Sequence, residues 1–227
     1  MLTDAIGGFL SAAIAVALSP IPIVAVILML GTPKARSNGP AFAAGWILGL
    51  LVVSVIVTVL LVAGGASDPG SSASDGVNWV TLLLGLALFV LAGRQWRSRP
   101  MKGEQPTMPK WMSAVDTVEP RRAFVLGVAL SGANPKNLAL TAAAAGSIAQ
   151  AGLGATDSAI AIAVFVAIGS LTVVGSVLFH LVGGDAATKP LATMKEFMAD
   201  HGNVIMMVVL VIIGAKLVGD GLAGVSH

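Results

Sequence analysis

Val16-Ala17-Leu18-Ser19-Pro20-Ile21-Pro22, and later Val128-Ala129-Leu130-Ser131-Gly132-Ala133-Asn134-Pro135: twice the chain places the same tetrapeptide in a long apolar run and follows it with proline. A proline inside a helix removes one N–H donor and leaves the carbonyl four residues earlier without its partner. In hydrocarbon such groups must be satisfied by protein, water or a ligand. Paired interruptions at matching places in two halves of a membrane protein are therefore the sequence mark of a binding site near the bilayer midplane.

The surrounding composition is that of an integral membrane protein. Of 227 residues, 56% are hydrophobic and 11% charged, far more apolar surface than one soluble core needs. Six stretches are long enough to cross about 30 Å of hydrocarbon as helices: residues 4–31, 40–64, 77–96, 122–150, 157–182 and 203–223. The opening Met1-Leu2-Thr3-Asp4 has no basic region, so the first stretch is expected to remain as a helix. With no cysteine, disulfides and thiolate metal sites are excluded, and no cofactor is expected. A net charge of +2 gives no reason to expect a nucleic-acid partner.

Eleven of the thirteen Lys and Arg fall in or beside three alternate connections: Lys34 and Arg36; Arg94, Arg97, Arg99, Lys102, Lys110, Arg121 and Arg122; Lys189 and Lys195. The positive-inside rule makes these cytoplasmic and puts both termini outside. The Pro-rich stretch 97–121 reads as a cytoplasmic linker between a first three-helix repeat, 1–96, and a second, 122–227. An odd number of helices per half forces the halves to run in opposite directions. The expected fold is thus all-α, six transmembrane helices in two inverted-topology repeats, with helices 1 and 4 broken at proline. Trp46, Trp79, Trp96 and Trp111 fall near expected interfaces, and Gly45 with Gly49 forms a GxxxG pattern suited to close helix packing.

Ser19-Pro20 and Asn134-Pro135 share a grammar: Ser and Asn are favoured helix N-caps, and Pro is favoured at the first helical position. Each pair restarts a helix inside the membrane and points its positive N-terminal end at the centre, which favours an anion. A packing kink explains one such proline; two in equivalent places favour a site. The candidate binding residues are Ser19, Pro20, Pro22, Ser131, Asn134, Pro135, Lys136 and Asn137. Lys136 carries a cation into a membrane segment at about 3 kcal/mol or more, and no Asp or Glu is central to any segment. Either a ligand anion completes it or it snorkels to the interface. His180 is a candidate proton relay, and Lys216 with Asp220, four apart, a candidate secondary polar pair. Catalytic motifs are absent, so no enzyme is expected.

At these same residues the chain resembles a known family. Ser19 through Leu30, Thr32 through Gly39, the Gly45–Gly49 helix start and Ser131-Gly132-Ala133-Asn134-Pro135-Lys136-Asn137-Leu138-Ala139-Leu140 are similar to the glycopeptidolipid- and sulfolipid-addressing (GAP) proteins of actinobacterial envelopes, within the LysE transporter superfamily. The resemblance implies a multi-pass protein of the bacterial inner membrane, homodimeric, that assists outward movement of a glycolipid. Its partners would be an anionic lipid or glycolipid substrate, membrane lipids and envelope-lipid synthesis or export proteins. Two other functions stay open: a LysE-type exporter of amino acids or small metabolites, and a non-transporting scaffold for lipid machinery. An ion channel would want a continuous polar face, which these segments lack.

Overall fold

The computed structural model describes residues 1–64, 79–98 and 118–222. Every regular element among them is helical: α1 (Leu2–Ala17), α2 (Pro20–Leu30), α3 (Ala35–Ala63), α4 (Trp79–Arg97), α5 (Pro120–Gly132), α6 (Pro135–Gln150), α7 (Ala155–Gly169), α8 (Leu171–Gly183) and α9 (Thr188–Leu222). A single 3-10 turn, Gly184–Ala187, joins α8 to α9, and Gly184 opens it at φ +51, where a Cβ is strained. Most of the expected linker 97–121, with Trp111, and the outer connection 65–76 lie outside the described residues, as does His227.

Both expected breaks are present. α1 and α2 meet at a 47° bend, and α5 gives way to α6 across Ala133 and Asn134. The fifth stretch departs from expectation: it is not one helix but α7 and α8, interrupted at Ser170 without a proline. The last helix also begins earlier than the apolar pattern indicates. Thr188 to Gly202 continue it as a polar extension, because Ala192, Met194, Lys195, Glu196, Met198 and Ala199 are all good helix formers.

By length and composition α3 (29 residues) and the run Leu171–Leu222 (52 residues) are each able to cross a membrane, and the bent α1–α2 pair makes a third span if taken as one. At 1.5 Å per residue α3 is about 43 Å long, more than the hydrocarbon core. Its outer face exposes Leu51, Val55, Ile56, Val59 and Leu60, and α4 exposes Leu83, Leu86 and Val90. Apolar faces this extensive need lipid rather than water. The protein is a helical membrane protein.

Small residues set the packing. α3 lies along α5, α4 along α9, and α1 against α6 and α7. At the α3–α5 crossing a Cβ on Gly45 would stand 2.0 Å from the Phe124 carbonyl oxygen, and one on Gly127 2.3 Å from that of Phe42. Backbone touches backbone there, as the GxxxG pattern leads one to expect. The α4–α9 crossing uses the same device with glycines that no simple pattern announces: Gly85 meets the backbone of Gly214 and Val218, and Gly221 that of Leu82. α1 and α7 lock through an edge-to-face contact of Phe9 and Phe165, centroids 5.8 Å apart.

Candidate functional site

At the first break Pro20 and Pro22 withhold two N–H groups, so the Val16 and Leu18 carbonyls lose their helical donors. The Ser19 N–H folds back to the Val16 oxygen at 3.2 Å. The Ala17 carbonyl accepts from the Thr172 hydroxyl, which reaches over from α8. Ser19 occupies the N-cap position of α2 in extended conformation, yet its hydroxyl makes no cap hydrogen bond. That corrects the expected role: the side chain is turned away from its own helix toward α6.

At the second break Asn134 does cap its helix, accepting from the Lys136 N–H at 3.1 Å. Pro135 at the first helical position has no N–H to satisfy. Asn137, fully buried, donates through Nδ2 to the Leu130 carbonyl at 2.9 Å, replacing a donor that carbonyl lost when α5 ended.

The third break follows the same rule. α7 ends at Gly169, and the Trp46 indole of α3 donates to the Gly169 carbonyl at 3.3 Å. Trp46 is thus fully buried in the bundle rather than at an interface, whereas Trp79 and Trp96 are exposed on α4. All three interruptions have a terminal carbonyl held by a side chain from beyond the break, which is what backbone removed from water requires.

The first two breaks are joined to each other. The Lys136 ammonium donates to the Ser19 hydroxyl. Ser19 Oγ in turn donates to Asn137 Oδ1 at 3.3 Å. Ser19, at 1% exposed, and Asn137 are enclosed, while Lys136 is half-buried. An ammonium has three protons to donate, and among the described residues this one has a single hydrogen bond and no carboxylate partner. The N-terminal ends of α2 and α6 add about half a positive charge each beside it. The cluster is rich in donors, incompletely coordinated and built from residues 117 or 118 positions apart.

The remaining candidates fall elsewhere. The Ser131 hydroxyl bonds back to its own helix, to the Gly127 carbonyl at 2.9 Å, and lies under Gly49, where an added Cβ would come within 2.0 Å of it. It is a packing contact of the α3–α5 crossing. Pro22 is buried in the core of α2, Pro20 packs where a Cβ on Gly202 of α9 would fall, and Pro135 is exposed. His180 sits in the last turn of α8 and is not hydrogen-bonded to the cluster. Lys216 and Asp220 form an exposed pair at 2.8 Å on α9. Sequence reasoning missed Thr172, Gly169 and Trp46 as parts of the site's frame. The polar and small run Gly169-Ser170-Leu171-Thr172 inside an otherwise apolar stretch was the signal that could have found the third break.

Neither the curated proteins nor the solved structures hold a match to the chain. A family model does match. That of Sap, the sulfolipid-1-addressing protein, covers residues 9–223, a span that contains both proline restarts and the whole polar cluster, and the chain belongs to this sulfolipid-1-addressing family.

Proposed function

We propose that the protein carries an anionic lipid of the cell envelope across the inner membrane, with the lipid's charged head bound at the junction of the two proline restarts. The observation that carries this reading is Lys136: a cation held against Ser19, flanked by two helix N-termini and lacking a carboxylate among the described residues. An unpaired charge in hydrocarbon is expensive and marks a substrate path by default. A phosphate, sulfate or carboxylate would complete it; a cationic amino acid would be repelled. The family's link to sulfolipid addressing supports a lipid as the substrate class.

The reading includes six spans in two inverted repeats. Its support is the exchange of partners: α3 lies on α5, the first helix of the second half, while α1, the first helix of the first half, lies on α7, and α4 pairs with α9. A pseudo-twofold axis relating the halves generates such a pattern, and three helices per half would place that axis in the membrane plane.

The test is export, or binding, of anionic envelope lipids by folded Lys136→Ala protein. Loss of activity in Lys136→Ala with partial retention in Lys136→Arg is the expected result. Wild-type activity in Lys136→Ala, or preference of the parent for lysine-like cations, refutes the site and returns the protein to the amino-acid exporters.

A further inference from the structure

α5 turns Ala123, Gly127 and Ser131 onto α3 and leaves the opposite face, Arg121, Val125 and Ala129, exposed at a spacing of four. On that side lies a cavity of about 470 Å³ lined by Glu119, Arg121, Arg122, Val125, Leu126 and Ala129. The volume is within the range of small-molecule sites. The chain leading into α5 is held in place, because Asn38, 1% exposed on α3, donates to the Val118 carbonyl at 2.9 Å just before the helix.

The lining divides along its length. Two guanidiniums and one carboxylate line it at the start of α5, and the residues further along the helix, Val125, Leu126 and Ala129, are hydrocarbon, with Val125 58% exposed. Among the described residues neither Arg121 nor Arg122 forms an ion pair, with Glu119 or with any other carboxylate. Guanidinium forks fit phosphate and sulfate oxygens in pairs. An occupant must therefore be anionic at one end and apolar along the other, and an apolar wall facing outward from a membrane helix is reached from the bilayer. Basic residues at the end of a membrane helix also face the leaflet whose surface is negative.

We infer that this groove binds one anionic membrane lipid, its headgroup phosphate or sulfate on Arg121 and Arg122 and an acyl chain along Val125 and Ala129. The site is separate from the cluster at Lys136: along the helical path at 1.5 Å per residue its arginines lie roughly 20 Å from Lys136 and its apolar end at Ala129 roughly 10 Å. It depends on the helices being embedded in lipid, not on export at Lys136, so the two readings fail separately.

The test uses the full-length protein in phosphatidylcholine nanodiscs doped with phosphatidylglycerol carrying a diazirine in its acyl chain, with diazirine-labelled phosphatidylcholine as the control. After irradiation, peptides are mapped. Labelling at Val125 to Ala129 by the anionic lipid well above the control is expected, falling roughly tenfold or more in the Arg121→Gln, Arg122→Gln double variant. The Arg121→Lys, Arg122→Lys protein should retain part of it, and Lys136→Ala all of it. Both arginines are exposed, so neither exchange threatens folding. Equal labelling by both lipids, or no loss in the Gln variant, overturns the site; loss in Lys136→Ala overturns its separateness.

Discussion

Exchange of Gly45 for alanine adds one methyl group, 2.0 Å from the Phe124 carbonyl oxygen and 3.1 Å from its Cα. Real Cβ contacts do not fall below 3.0 Å, so at least about 1 Å must open between α3 and α5. Both sides are backbone, and no rotamer change can relieve the clash. Overpacking of this kind typically costs 1–3 kcal/mol, and with rigid helices on both sides the upper part of that range is expected, about 2–3 kcal/mol. For a chain of this size that lowers the thermal midpoint by roughly 5–10 °C. The displacement also carries functional consequence, since α5 ends in the Leu130 carbonyl that Asn137 holds. Shifting α5 pulls on Asn137 and through it on Ser19 and Lys136, so lipid export should fall with stability. Gly93→Ala on α4, where nothing lies within 4 Å, is the matched control and should be neutral or slightly stabilising by helix propensity. Thermal unfolding of the three proteins in one detergent decides the matter. A Gly45→Ala midpoint indistinguishable from wild type would show that α3 and α5 do not touch, and the argument from small residues would collapse with it.

Thr172→Val should cost about 1–3 kcal/mol by leaving the Ala17 carbonyl without its donor, and Thr172→Ser should restore most of the loss in the same unfolding assay. Asn134→Ala removes the cap of α6 and should lower stability by about 1 kcal/mol, while impairing export because Lys136 sits in the first turn. Single cysteines at Ser72 and Ser113 in this cysteine-free chain should react with an impermeant thiol reagent from opposite sides of the membrane. Reaction of Ser113→Cys from outside inverts the orientation inferred from the basic connections.

What the sequence disclosed was local chemistry. Proline has no N–H wherever it stands, so Ser19-Pro20 and Asn134-Pro135 announced their breaks without knowledge of any neighbour, and Gly45 with Gly49 announced a close crossing in the same way. What it withheld was pairing over distance. Lys136 and Asn137 were visible as polar residues in an apolar run, but that both reach Ser19 depends on how α6 lies against the end of α1. Ser19 looked like a cap because capping is a local rule; a cation from another helix outcompeted its own backbone for the hydroxyl. Trp46 looked interfacial because indole usually is, and only the carbonyl freed at Gly169 explains a fully buried N–H. The third break had no proline to mark it, and the groove along α5 needs the fold before Arg121, Val125 and Ala129 become one surface.

The three interruptions are not equivalent in what they permit. At Pro20, Pro22 and Pro135 the N–H donors do not exist, so the Val16, Leu18 and Ser131 carbonyls cannot receive their usual helical bond, although α3, which runs on through Pro40, shows that a missing donor alone does not end a helix. At Ser170 every residue keeps its N–H, and the break is flanked by the Trp46 bond to Gly169 on one side and the Thr172 bond to Ala17 of α1 on the other. The Ser170 hydroxyl, buried beside that gap, has no partner among the described residues. Two of the interruptions thus carry their missing donors in the covalent chain, while the third keeps every donor and is bordered by side-chain bonds to other helices.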